Sequence, residues 1–271
     1  MHGLSFQTGC VSFKIYTPNF LLRKLKAYTM PHHGIRCANL AAAIFQTCHR
    51  IIFPADKSPN FATMKTKLDI NSWARKEHFD FFKNFNEPFY GVCVRVDCTI
   101  AYKAAKEKGV SFYLYTLYRA MQAAEMIESF RYRIEGEDVI VYEQIHAAST
   151  IPRSNGTFGF SYIFYKNSFD EFIESAKQEV ERVQNSNTLD RASRWDLIRF
   201  SSLPWIDFTS ISHARMFSFE DSAPSISFGK MTEMDGKRTM PMSVHVHHAL
   251  VDGLHVGQYI DCFQELMNKG I

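Results

Sequence analysis

From residue 64 onward, hydrophobic and polar positions fall into two rhythms. Gly91 to Cys98 (GVCVRVDC) sets Val92, Val94 and Val96 against Cys93, Arg95 and Asp97, a period of two that predicts a half-buried strand. In SFDEFIESAKQEVERVQ, apolar residues recur at 169, 172, 173, 176, 180 and 183 behind Ser168 and Glu171. That is one helical stripe preceded by a capping box. FYLYTLYRAMQAAEMI is apolar on most faces and predicts a buried helix opening at Ser111. Polar Asn71 and Ser72 stand before a mixed aromatic and charged helix in NSWARKEHFDFFKNF, and Thr99 before a short helix ending near Gly109. RYRIEGEDVIVYE predicts a hairpin turning at Gly136, and SISFGKMTEMDGKRTMPMSVHVHH two strands joined around Asp235-Gly236. Val256, Tyr259, Ile260, Phe263, Leu266 and Met267 form a last amphipathic helix after Gly253. Strands interleaved with helices, at least one hairpin and no internal repeat predict an α/β fold: a two-layer sandwich of mixed β-sheet and packed helices, one domain over residues 64–271.

Residues 1–63 break this pattern, with no capped helical period and no clean alternation. They carry seven Lys/Arg and one acid, Asp56, so this stretch is +6 while residues 64–271 sum to −3 within the net +3. A basic leader on a mildly acidic body marks a boundary. Lys, Arg and His interrupt every apolar core that a signal peptide would need. The expectation is a poorly ordered basic extension, upstream of a true start at Met64. The 46% hydrophobic composition is that of a folded chain, and no apolar run nears the ~20 residues that span a bilayer. Six cysteines without a C-x-x-C pair read as reduced thiols in a cytoplasmic protein.

No phosphate-binding loop, dinucleotide fingerprint, G-x-S-x-G elbow or H-E-x-x-H occurs. Candidate chemistry gathers in HHALVDGLH, His247 to His255, with His245 just before it. A metal site is one reading, although the spacing matches no common ligand set. His245 and His247, two apart on a strand, share a face and read as polar sheet residues. His248 at the strand end and Asp252 at the entry to a helix share a tight corner, with Gly253 allowing a backbone that a Cβ would resist. An imidazole there is a candidate base, and the carboxylate its support. The spacing alone leaves framework and catalysis both open.

HHALVDGLH resembles the active-site signature of the chloramphenicol acetyltransferase family, and three further segments resemble that family in the same order. They are WARKEHFDFF (Trp73 to Phe82), SSLPWIDFTS (Ser201 to Ser210) and SAPSISFGK (Ser222 to Lys230). The resemblance covers residues 64–271 and none of residues 1–63. It implies the family's two-layer sandwich and an acetyl-CoA-dependent O-acetyltransferase that confers antibiotic resistance. Acetyl-CoA would be a co-substrate, with no permanently bound cofactor and no metal. It also implies a homotrimer with active sites at subunit interfaces, and no nucleic-acid or membrane partner. By position, His248 matches the general base and Ser201 the hydroxyl that stabilises the oxyanion. Asp252 and Arg75 match the supporting ion pair, and Ser227 stands where the family usually has threonine. Trp205 and Lys230 fall where CoA contacts are expected. Phe82, Tyr90, Phe158 and Phe160 are candidates for the acceptor pocket.

The chain departs from the family at four positions. Val251 replaces a cysteine, Leu254 a usual aromatic, His245 a glutamine, and Phe82 the usual tyrosine near the antibiotic. Acyl transfer survives these changes better than chloramphenicol as acceptor does. Two other readings stand beside it. One is a CoA-dependent acyltransferase with another alcohol or thiol acceptor, as in dihydrolipoyl acyltransferase cores. The other is a non-catalytic binding protein on the same fold.

Overall fold

A computed structural model describes residues 3–8, 11–16, 64–190, 194–215 and 221–271. The chain divides into two compact units, Met1–Ala55 and Asp56–Ile271. In the first, β1 (Gly3–Thr8) pairs antiparallel with β2 (Val11–Tyr16). The sequence does alternate there, in L-S-F-Q and V-S-F-K-I, a local signal masked by the irregular residues around it. The rest of the expected disordered leader lies outside the described residues.

The second unit is a mixed-sheet α/β sandwich. Its strands are β3 (Lys65–Lys67), β4 (Phe89–Asp97), β5 (Tyr132–Glu135), β6 (Asp138–Tyr142), β7 (His146–Pro152), β8 (Phe158–Ile163), β9 (Leu197–Ser202), β10 (Ser225–Phe228), β11 (Thr232–Met234) and β12 (Lys237–His247). Its helices are α1 (Lys76–Phe82), α2 (Thr99–Glu107), α3 (Phe112–Met126), α4 (Phe169–Gln184) and α5 (Gly253–Asn268). The main sheet runs β12-β10-β9-β7-β8; β4 lies along the other edge of β12, and β11 extends the β10 side. The pairings β10–β9 and β9–β7 are parallel, and the others in this sheet antiparallel. A smaller antiparallel sheet, β3-β6-β5, contains the expected hairpin, with Gly136 in the left-handed region.

Register gives the main sheet two unlike faces. Val96, Met240, Met242, Val244, Val246, Ile226, Ile198, Phe200 and Ile163 point to the helix side and form the core with α2, α3, α4 and α5. The opposite face is polar. Across it lie Gly91 and Cys93 of β4, Ser243, His245 and His247 of β12, Ser225 and Ser227 of β10, and Arg199 and Ser201 of β9.

Three local expectations change. Ser72 does not cap α1, because its hydroxyl bonds the Asp69 carboxylate at 2.8 Å; the N-cap position of α1 is Arg75. Thr99 is the first residue of α2 rather than its cap. The Asp97 carboxylate accepts its amide at 2.9 Å, and its hydroxyl accepts the Arg238 amide. The stretch expected as two strands around Asp235-Gly236 is three, because the β10 chain breaks off after Phe228. Gly229 packs there so closely on Pro241 and the Ile206 carbonyl that no Cβ would fit. The tight turn itself forms, with Asp235 at φ 53° and Gly236 at φ 75°.

Candidate active site

The corner between β12 and α5 is built by its hydrogen bonds. Asp252 is the N-cap of α5: its Oδ1 accepts the Leu254 amide at 3.2 Å, and His255 Nδ1 accepts the Asp252 amide at 3.2 Å. The carboxylate also sits at the positive end of the helix dipole. Arg75 reaches over from the start of α1, pairing with Asp252 Oδ2 through Nη1 and donating through Nη2 to the His248 carbonyl at 3.2 Å. Burial raises the Asp252 pKa, but Arg75 and His255 outweigh it and hold the carboxyl below its ordinary value. Gly253 does not need its missing Cβ here. Its φ is ordinary, and a Cβ would meet open space.

Within this corner the His248 backbone is pinned at both ends, since its amide also donates to Pro88 O at 2.9 Å. Phe82 stacks on the ring at 4.0 Å with 10° between planes, and Tyr90 leans on it at 4.6 Å. Tyr90 lies on the helix side of β4, in register with Val246. Burial, reinforced by Asp252, pushes its phenol up to about 12, so the hydroxyl keeps its proton. Its Oη and His248 Nδ1 are both buried without a hydrogen-bond partner among the described residues. His247 is framework by contrast. It is buried against Phe89, its Nδ1 accepts the Ala249 amide at 3.3 Å, and burial lowers its pKa to about 4.

Ser201 and Ser227 form a second group on the polar face, as register partners across the parallel β9–β10 pair. Phe160 and the half-exposed Phe158 share that face on the outer strand β8, and their rings touch at 5.7 Å. Among the described residues, no hydrogen bond or ring contact joins this group to His248. Trp205, 76% exposed, and the exposed Lys230 lie near each other, because the Lys230 amide bonds Ile206 O at 2.8 Å. Val251 is a buried core residue and lines no surface, whereas Leu254 is exposed. Among the described residues no three His, Cys, Asp or Glu side chains converge as metal ligands would.

The profile of the family described as chloramphenicol acetyltransferase matches residues 63–264. This chain belongs to the chloramphenicol acetyltransferase family. It is 28% identical over 208 residues to chloramphenicol acetyltransferase 3 of Escherichia coli, covering 75% of this chain and 97% of that protein. It is likewise 28% identical over 207 residues to a chloramphenicol acetyltransferase of Bacillus pumilus, with 75% and 94% covered. A solved chloramphenicol acetyltransferase superposes with a TM-score of 0.71 at 31% identity, over 75% of this chain and all of that one. The catalytic core of a 2-oxoacid dehydrogenase complex from Thermoplasma acidophilum shares the fold at a TM-score of 0.54 and 15% identity. As a member of the chloramphenicol acetyltransferase family, the chain is an acyltransferase enzyme. No helix among the described residues is long and apolar enough to cross a membrane.

One residue of the polar face escapes sequence reasoning. His213, on the connection after β9, puts Nε2 3.4 Å from Ser227 Oγ and stands edge-on to His245 at 4.7 Å. The His245 ring lies over Gly91, where any Cβ would come within 2.3 Å of it. His213 belongs to no periodic segment, so only the path of the connection reveals it.

Proposed function

We propose that this protein transfers the acetyl group of acetyl-CoA to a hydroxyl of chloramphenicol, using His248 as general base. The acceptor hydroxyl gives its proton to His248 as its oxygen attacks the thioester carbonyl. Ser201 donates a hydrogen bond to the oxyanion that forms. Collapse breaks the carbon–sulfur bond, and the proton passes from His248 to the departing sulfur, leaving acetylated acceptor and CoA thiol. The observation that carries this reading is the fixed imidazole. His248 is held between Phe82 and Tyr90 while Pro88 and Arg75 hold its backbone, so the base needs little reorganisation. Asp252 and Arg75 act through that backbone rather than on the substrate.

The separation of His248 from the Ser201–Ser227 face supports a homotrimer, in which the face of one subunit meets the corner of another. Exposed Trp205 and Lys230 supply a flat ring and a phosphate partner for CoA. Phe158 and Phe160 offer apolar acceptor surface on the same face as Ser201. A cytoplasmic location fits the free thiols of Cys93, Cys98 and Cys262. Antibiotic resistance would be the consequence in the cell. A second reading keeps the chemistry and changes the acceptor alcohol. It is favoured by the polar His213–His245 pair on the face that an aromatic antibiotic would meet.

Thiol release from acetyl-CoA, measured with and without chloramphenicol, tests both readings. Release that requires chloramphenicol and falls about 10²–10⁴-fold in His248→Ala is the expected result. Release only with a different alcohol selects the second reading. Full activity in His248→Ala removes the proposed base.

A further inference from the structure

The geometry points to His213 as a positioning residue that orients the oxyanion-stabilising hydroxyl of Ser201 through Ser227. The inference rests on the acetyl-transfer reading above and adds a residue that the family motifs do not contain. Its starting point is a row of side chains. His213 Nε2 lies 3.4 Å from Ser227 Oγ, and Ser227 is the register partner of Ser201 on the neighbouring parallel strand. Register partners project from the same face of a sheet, so the two hydroxyls are neighbours on the polar side. Ser227 is fully buried, which limits its hydroxyl to protein partners, and among the described residues His213 is the only side chain bonded to that oxygen. The Ser201 side chain makes no hydrogen bond among the described residues, to Ser227 included, so its rotor is free to turn toward its register partner.

A hydroxyl that stabilises an oxyanion must direct its proton outward, leaving its lone pairs to accept from within. Ser227 satisfies that need only by donating its own proton to Ser201, and its oxygen must then accept from a third group. His213 is that group when Nε2 carries the proton. With the Ser227–Ser201 bond made as the oxyanion builds, the proposed chain runs Nε2–H of His213 to Ser227, the Ser227 hydroxyl to Ser201, and the Ser201 hydroxyl to the oxyanion. Each bond polarises the next in one direction. Burial, with His245 and Arg199 nearby, lowers the His213 pKa and favours a neutral ring; of the neutral tautomers, the one protonated at Nε2 supplies the donor this chain needs, as the charged ring would. His245 holds the His213 ring edge-on, and Gly91 leaves the space that His245 occupies.

Steady-state kinetics with acetyl-CoA and the acceptor on His213→Phe, His213→Gln, Ser227→Ala and the double variant His213→Phe/Ser227→Ala test the chain. Phenylalanine keeps the ring against His245 and removes the donor, whereas glutamine keeps an N–H donor. The expected result is a kcat about tenfold lower in His213→Phe, with KM for acetyl-CoA unchanged, and most of that loss recovered in His213→Gln. That loss is part of the ~10²–10³ typical of one oxyanion donor. The double variant should be no slower than the slower single variant, since both break one chain. Thermal melting near that of the wild type separates lost alignment from lost folding. Wild-type kcat in His213→Phe, or losses that multiply in the double variant, overturns this inference alone. A wild-type chain that transfers no acetyl group overturns the acetyl-transfer reading and this one with it.

Discussion

His247 accepts the Ala249 amide, His255 accepts the Asp252 amide, and His248 keeps its Nδ1 buried without a partner among the described residues. The spacing of HHALVDGLH could not separate these situations, because they depend on where β12 ends. That end follows from pairing: His247 is the last residue opposite β4, so His248 leaves the sheet and turns into the corner. Arg75 and Asp252 were legible as a pair only through the resemblance, being 177 residues apart. The pair should be expensive to break. Asp252→Asn or Arg75→Met is expected to cost roughly 2–3 kcal/mol, below the ~3–5 of a fully buried pair because the carboxylate is one-third exposed. Urea unfolding of each variant measures that cost, and kcat should fall with it as the His248 carbonyl loses its guanidinium donor.

Strands and helices were readable where their signals are local. Ser168 accepts the Glu171 amide at the head of α4, and Phe169, Phe172, Ile173, Ala176 and Val183 bury the predicted stripe. Asp235-Gly236 turns as its letters suggest. The failures involve a competing partner from outside the pattern: Asp69 for Ser72, Asp97 for the α2 cap, and Pro241 for the strand broken at Gly229. Cross-strand contacts are similarly invisible in one strand's letters. Val92, Val94 and Val96 announce β4, yet Gly91 matters because His245 of β12 covers it. Gly91→Ala should therefore displace the His245 ring and cost about 1–3 kcal/mol by overpacking. A drop in melting temperature, with shifted His245 and His213 imidazole NMR resonances, is the expected signature. Unshifted resonances would mean that the Cβ is accommodated elsewhere.

The whole molecule is held by polar anchors as well as its core, and composition conceals them. Arg133 is fully buried and donates to the carbonyls of Phe130, Tyr132, Trp195 and Leu197, tying the small sheet to the start of β9. Burial lowers its pKa to about 10, so it stays charged at neutral pH. Arg133→Met should cost about 3–5 kcal/mol in a denaturant melt, since four buried carbonyls lose their donor.

Two buried histidines on different strands contribute to the acid sensitivity of the fold. Burial lowers both His146, at the start of β7, and His247, at the end of β12, to about 4. Between pH ~6.5 and ~4 the unfolded chain binds protons at both positions while the native chain does not, so native stability falls as pH drops through that window. Each contributes on the order of 3 kcal/mol to the fall. Asp252 works in the same sense, but lower down. Its depressed carboxyl stabilises the fold above its unfolded pKa, and that contribution is lost only as pH falls through the still lower folded value. His247→Gln removes one titrating site and leaves the other, so its urea midpoint should decline less than that of the wild type between pH 7 and pH 4.5. Equal declines would show that His247 protonates without opposing the fold, and would leave the acid response to His146 together with His213 and His245, whose pKa values burial also lowers.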